Sequence, residues 1–206
     1  MDLRLVLALV GSYLLGAIPT AYWVVRAARG EDLRTMGSGN LGATNLYRQL
    51  GWRYAIPVGL FDALKGAIPV ALIGPWAGLG VLGSVGLGLI AVVGHVYSVF
   101  VGFRGGKGVA TGGGIVLGIA PLAFVAALVG WIVIVRLSGY VSLGSIVAAA
   151  VLPPLIWLLH PAARAAVWPM AGLSALVIWF HRTNIRRLLA GTENRFGRKA
   201  AVRGAP

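Results

Sequence analysis

Long apolar runs separated by short polar segments set the pattern of this chain. Leu3 to Val25, Trp52 to Gly74, Ala77 to Phe100, Val141 to Leu159 and Ala165 to Phe180 each come close to the roughly 20 residues that a helix needs to cross a bilayer. A longer run, Val109 to Arg136, lies between the third and fourth of these. Pro121 offers a break in it, because proline removes a helix N–H but is tolerated at a helix start. The run then divides into a short helix, Val109 to Ile119, and a second, Leu122 to Arg136. The pattern predicts an all-α integral membrane protein of seven transmembrane helices, one of them short.

The positions of the basic residues favour seven spans over six. With seven, Arg26, Arg29, Arg48, Arg104, Lys107, Arg136, Arg182, Arg186 and Arg187 share one face, and outside the membrane only Arg4 and Arg164 lie opposite. With six, the Arg-rich C-terminus would oppose Arg26 and Arg104. Cytoplasmic loops carry the excess of Lys and Arg, so the N-terminus is expected outside and the C-terminus in the cytoplasm. The fourth helix cannot cross ~30 Å of hydrocarbon at 1.5 Å per residue, so protein must shield it or the bilayer must thin around it. Gly112, Gly113, Gly114 and Gly118 would allow the close packing this demands. The first run reads as a retained span rather than a removable signal, being long and preceded only by Arg4. Trp23, Trp52, Trp76, Trp157, Trp168 and Trp179 fall near span ends, where indoles favour the interface.

Composition agrees and narrows the chemistry. Of 206 residues, 58% are hydrophobic and 11% charged, against roughly 25% charged in a soluble domain. A mean hydropathy of +0.86 excludes a soluble globule. The net charge of +13 could suggest nucleic acid, but the charges sit between apolar runs, where they read as topology signals and as a site for anions. The absence of Cys excludes thiol nucleophiles and thiolate metal sites, and three scattered His argue against a zinc cluster. Neither a metal nor a cofactor is expected. Residues 1–197 read as one membrane-embedded domain, and 198–206 as a basic, flexible tail suited to anionic lipid.

Three polar clusters interrupt the apolar pattern. The first runs from Met36 through Ser38, Gly39, Asn40, Gly42, Thr44 and Asn45 to Arg48. Small residues there let backbone N–H groups approach an anion, and Arg48 adds a planar cation, although Gly-Ser-Gly-Asn is also ordinary turn chemistry. The second runs from Gly94 and His95 to Gly105, Gly106, Lys107, Gly108 and Thr111. A glycine-rich turn bearing a lysine and opening a helix suits a phosphate, or else is only a flexible positive loop. It is not a Walker loop, since Val101 and Gly108 occupy positions that need Gly and Ser or Thr. The third comprises Ser142 and Ser145, then His181, Asn184 and Glu193. Within the second span Asp62 and Lys65 stand three apart on one helical face, as a structural lock or as a substrate contact.

These residues resemble one family closely: the bacterial glycerol-3-phosphate acyltransferases that use acyl phosphate as donor, the PlsY family. Ser38-Gly39-Asn40-Leu41-Gly42-Ala43-Thr44-Asn45 with Arg48 looks like its first motif, and Asp62-Ala63-Leu64-Lys65-Gly66 like its intramembrane acidic-basic pair. Gly94-His95 through Gly105-Gly106-Lys107-Gly108-Val109-Ala110-Thr111 looks like its glycine-rich motif, with Ser142, Ser145, His181, Asn184 and Glu193 at its later polar positions. The likeness extends from the first span to about Gly197.

The resemblance implies transfer of a fatty acyl group from acyl phosphate to the sn-1 hydroxyl of glycerol 3-phosphate. The products would be lysophosphatidic acid and phosphate, in the first acylation of phospholipid synthesis at the bacterial inner membrane. The catalytic set it implies is Ser38, Arg48, Lys107, His181 and Asn184. Gly39, Asn40, Thr44, Asn45, Gly105, Gly106, Gly108, Thr111, Ser142 and Ser145 would bind substrate, while Asp62, Lys65, His95 and Glu193 would support the site. His181 could act as general base or orient a substrate. Expected partners are the two substrates, membrane lipids and an enzyme that forms acyl phosphate; nucleic acid is not expected. No His is followed five residues later by Asp, as thioester-type acyltransferases require: Phe100, Ala165 and Arg186 stand there. A transporter of a small phosphorylated anion is the rival class, but no helix-length repeat is visible and the polar clusters gather on one face.

Overall fold

The computed structural model describes residues 2–196, and the regular structure among them is all helical. α1 (Leu3–Ala17) and α2 (Thr20–Arg29) form one interrupted span, followed by the short α3 (Ala43–Leu50). α4 (Trp52–Ile68) continues through a π-helical turn, Pro69–Ile73, into the single turn α5 (Gly74–Trp76). α6 (Val81–Val96) ends in a 3-10 turn, Val99–Val101, before α7 (Val109–Ile119) and α8 (Pro121–Ser138). α9 (Val141–Leu159), a 3-10 segment Pro161–Ala166, α10 (Val167–Phe180) and the surface helix α11 (Arg182–Leu189) complete the described chain.

Six helical stretches are long and apolar enough to span a membrane, and Val109–Ile119 is the shorter seventh. The break at Pro121 therefore holds: Ala120 lies between α7 and α8, and Pro121 is the first residue of α8. At 11 residues α7 is only about 16 Å long, and the fold shields it with protein. It packs against α4, α6, α8 and α9, with Thr111, Gly112, Gly114, Ile115 and Val116 buried. The α4 contact is backbone to backbone, since a Cβ on Gly66 would strike the Thr111 carbonyl and one on Gly114 the Ala63 carbonyl. Small residues take the place that a hydrophobic driving force fills in water.

One feature departs from the expected spans. The first is not a continuous helix, because α1 stops at Ala17 and α2 restarts at Thr20. Pro19 has no N–H to give to the Leu15 carbonyl, and the turn around it frees carbonyls at membrane depth, where water cannot satisfy them. Side chains do so instead: Ser98 donates its hydroxyl to the Ala17 carbonyl, and Lys65 donates to that of Ile18 at 2.6 Å.

The core runs along α7, α9 and α10, around Ile115, Val116, Ile156, Met170 and Leu173. A smaller cluster of Ala21, Val25, Leu33, Leu41, Leu46 and Val58 binds the first polar loop to α2 and α4. All six interfacial tryptophans are exposed, and Arg53, Arg164 and Arg182 stack on Trp52, Trp157 and Trp179. His160, directly after α9, accepts from the Ala123 amide near the start of α8 (3.4 Å). The proposed tail, 198–206, lies outside the described residues.

Candidate active site

The three polar clusters meet at one end of the bundle, held by long-range hydrogen bonds. Arg29 donates to the Gln49 carbonyl (2.6 Å), tying α2 to α3, and Arg34 to that of Val101 (3.1 Å), tying the first loop to the turn that precedes Lys107. Lys107 bonds the side-chain oxygen of Asn184 on α11. The Phe196 amide reaches back to the Gly139 carbonyl (2.6 Å), and Tyr47 of α3 stacks on Phe196 with centroids 4.4 Å apart.

Glu193 is the hub. Its Oε1 accepts from the Ser142 hydroxyl (2.9 Å) and from Asn184 Nδ2 (2.7 Å), while Oε2 accepts from Arg187 Nε (2.6 Å). Asn184 thus gives its amide to Glu193 and its oxygen to Lys107, which fixes the ammonium relative to α9 and α11. Burial pushes the Glu193 carboxyl up, but the bonds from Arg187, Asn184 and Ser142 outweigh it and hold its pKa below the usual carboxylate range.

Cations surround this hub in excess. Lys107 is half-buried, and burial, with Arg187 repelling it, pulls its pKa down to about 8; Arg48 and Arg182 act in the same direction. Arg48 reaches the same field from α3, where Glu193 attracts it and Arg187 repels it. Four positive groups against one carboxylate leave a site that gains by taking up an anion. Burial, with the Lys107 charge adding to it, pushes the His181 pKa down to about 4, so its imidazole is neutral at physiological pH. Its Nδ1 lies 2.7 Å from the Val177 carbonyl. A carbonyl can only accept, so Nδ1 carries the proton and Nε2 keeps a lone pair.

Not every expected contact is open to a ligand. Asn45 is 2% exposed and its side chain organises the first loop: Oδ1 accepts from the Ser38 amide (3.1 Å), and Nδ2 donates to the carbonyls of Met36 and Asn40 (3.0 Å each). Asn40 accepts from the Gly42 amide (2.9 Å). Ser38, Gly39 and Arg48 are exposed, and Thr44 is half-buried at the start of α3. In the second cluster Gly105 and Gly106 give their amides to the Val96 (2.8 Å) and His95 (3.0 Å) carbonyls, so these two N–H groups close the turn rather than face a phosphate. Gly108 adopts φ 76°, a left-handed conformation that favours glycine, and leads straight into α7. Thr111 is fully buried, with its carbonyl packed against Gly66 of α4. Ser145 bonds the Val141 carbonyl (3.0 Å) and receives Trp131 Nε1 (3.3 Å).

Two groups are set apart. Asp62 and Lys65 pair at 2.5 Å inside the bundle, and with His95, Gly105 and Gly106 they line a small cavity beneath the second cluster. In the sequence Arg187 reads only as a topology charge. Its spacing carried a signal, since Asn184 and Arg187 stand three apart on one face of α11.

A helical membrane bundle with a cationic, carboxylate-braced site at one end defines a class of membrane enzyme that handles anionic substrates. Residues 6–191 match the model of the family described as Glycerol-3-phosphate acyltransferase, and the chain belongs to that family. The glycerol-3-phosphate acyltransferase of Geobacter metallireducens is 51% identical over 195 residues, covering 93% of this chain and 97% of its own. That of Geotalea daltonii is 47% identical, covering 94% and 98%. Two crystal structures of PlsY, an integral membrane glycerol 3-phosphate acyltransferase, are also similar. Its glycerol 3-phosphate form has a TM-score of 0.85 at 39% identity, covering 94% of this chain and 96% of that one. Its lysophosphatidic acid form has a TM-score of 0.84 at 36% identity, covering 94% and 95%.

Proposed function

We propose that this protein transfers a fatty acyl group from acyl phosphate to the sn-1 hydroxyl of glycerol 3-phosphate, releasing lysophosphatidic acid and phosphate. The observation that carries the reading is the Lys107–Asn184–Glu193 chain, flanked by Arg48, Arg182 and Arg187 and by a neutral His181. Both substrates carry a phosphate, and this field is cationic enough to hold two. The hydroxyl oxygen of glycerol 3-phosphate attacks the acyl carbon; the bond from that carbon to the phosphate oxygen breaks, and phosphate leaves.

Lys107 and Arg48, with Ser38, hold phosphate, and Asn184 fixes Lys107 in place. The hydroxyl proton passes to His181 Nε2 or to a phosphate oxygen. A bound dianion raises the His181 pKa toward neutrality, which suits a base active only when substrate is present. Gly39, Asn40, Thr44, Gly108, Ser142 and Ser145 shape or line this site, whereas Asn45, Gly105 and Gly106 act through loop shape. Charge on the carbonyl oxygen is met by these fixed donors, so no covalent acyl-enzyme is needed.

The cationic end faces the cytoplasm of a bacterial inner membrane, as the excess of Lys and Arg there supports. Acyl phosphate is amphiphilic, so an enzyme that makes it is the natural supplier. The test offers purified protein glycerol 3-phosphate with acyl phosphate or acyl-CoA at equal concentration, scoring lysophosphatidic acid and, by intact mass without acceptor, any acylated protein. Fast turnover with acyl phosphate and no adduct is expected. Equal rates with acyl-CoA, or a stoichiometric adduct, overturn the donor assignment.

A further inference from the structure

The intramembrane pair lies apart from the groups that carry the acyl transfer, and its surroundings suggest a supporting task. Burying an ion pair is a poor source of stability, because desolvation offsets the attraction and apolar replacements are often neutral. The cavity it lines with His95, Ser98, Gly105 and Gly106 has a volume of about 10 Å³. That is the scale of one water molecule, so neither a glycerol phosphate nor an acyl chain enters. The bonds the pair makes define its task.

We propose that Asp62 and Lys65 are positioning residues that set the height and angle of the turn carrying Lys107. The chain of contacts is short. Lys65 spans from Asp62 (2.5 Å) to the Ile18 carbonyl freed by the Pro19 break (2.6 Å), and Ser98 secures the neighbouring Ala17 carbonyl. Together they clamp the broken first span to α4 and to the turn after α6. Across the cavity from Asp62 stands His95, which is 9% exposed. Its carbonyl holds the Gly106 amide at 3.0 Å, and its ring lies so close beneath Gly106 that a Cβ there would overlap the imidazole. Lys107 is the next residue. The pair acts on the turn through the Ala17–Ile18 break that Ser98 grips from the end of α6, and His95 carries the shift to Gly106.

This rests on the acyl-transfer reading, so wild-type turnover of glycerol 3-phosphate with acyl phosphate is measured first; its absence defeats that reading alone. The test is then a double-mutant cycle of Asp62→Asn and His95→Phe, each close in shape to the residue it replaces. If both act through the same turn, each single change lowers kcat about 10-fold, KM for glycerol 3-phosphate moves little, and the double variant loses scarcely more than either. Losses that multiply to about 100-fold show two unlinked effects and overturn the proposal, as does wild-type kcat in a folded Asp62→Asn protein. Where Asp62→Asn cannot be extracted folded, Ser98→Ala decides, since it loosens the same break and leaves the pair intact. A lowered kcat at unchanged thermal midpoint supports the clamp, and unchanged kcat removes it.

Discussion

Glu193→Gln separates two ways in which the cationic site could work. The substitution keeps size and shape, so Ser142 and Asn184 can still find an acceptor at Oε1. At Oε2, however, an amide N–H₂ would face Arg187 Nε, donor against donor at a site now 2.6 Å wide. The charge-assisted bond is worth ~1.5–3 kcal/mol where both groups are dry. Arg187 is 38% exposed and Glu193 only 2%, so the lower half of that range applies after solvent screening. A loss of ~1.5 kcal/mol, expressed as misalignment of Asn184 and hence Lys107, predicts kcat about 10-fold lower. The same change removes the carboxylate that opposes Lys107 and Arg48, so the site becomes more positive and KM for glycerol 3-phosphate should fall or stay level. Steady-state kinetics in one detergent, with thermal midpoints as a control for folding, provide the assay. Unchanged kcat with lowered KM would refute the bracing role and leave Lys107 a mere point charge. The acid side adds a check on sign. The Glu193 pKa is lower folded than unfolded, so its stabilisation is present above the ordinary carboxylate range and lost as pH falls through the folded value. Glu193→Gln should remove that component of acid sensitivity.

Other expectations follow from the same geometry. Lys107→Met should leave a folded, extractable protein with activity lower by orders of magnitude, as loss of a charge-assisted phosphate contact in a partly dry site implies; near-normal turnover would mean the turn is only a positive loop. Because Lys107 titrates at about 8, it loses its charge as pH rises through that value, so KM for glycerol 3-phosphate should climb above pH 8 in wild type and not in Lys107→Met. Gly114→Ala places a methyl group against the Ala63 carbonyl, and the two backbones must part; a lower thermal midpoint and poor extraction are expected, whereas wild-type stability would show that α7 and α4 can separate freely. A reporter fused after Phe196 should read cytoplasmic, the same side as one placed in the Gly102–Gly108 turn; opposite readings would undo the seven-span arrangement.

The sequence made the architecture legible because membrane spans are a matter of length and charge. Pro121 marked a real boundary, and the distribution of Arg and Lys required it. Pro19 carried the same kind of signal but went unread, since an unbroken apolar run around it already satisfied the length rule. The polar clusters were legible as a set, because Ser, Asn, Arg and His are costly within such a chain unless something uses them. Their division of labour was not. Asn45 and Thr44 look alike in the motif, yet the first turns inward onto carbonyls and the second lies at a helix start. Which amides are free is a question of backbone path: Gly105 and Gly106 sit in a phosphate-like turn but spend their N–H groups on α6. Arg187 was hidden among Arg182 and Arg186, and only the fold of 191–196 back over α9 brings Glu193 to it.

The short helix explains why fold and chemistry are inseparable here. For the proposed phosphate site, the helix that opens after Gly108 supplies a positive end beside Lys107. A full-length span in that place would put lipid-facing bulk between α4 and α9. An 11-residue helix with four glycines instead packs against both, and Lys107 just before it reaches Asn184 of α11. The broken first span beside α4 leaves the Ala17 and Ile18 carbonyls at membrane depth, where lipid cannot satisfy them. Lys65, Asp62, Ser98 and His95 are the answer the chain provides, each placed beside a broken helix or a glycine turn. Lys65 and Ser98 thus answer the Pro19 break in the first span, and the His95 carbonyl, which takes the Gly106 amide, joins the end of α6 to the turn that carries Lys107.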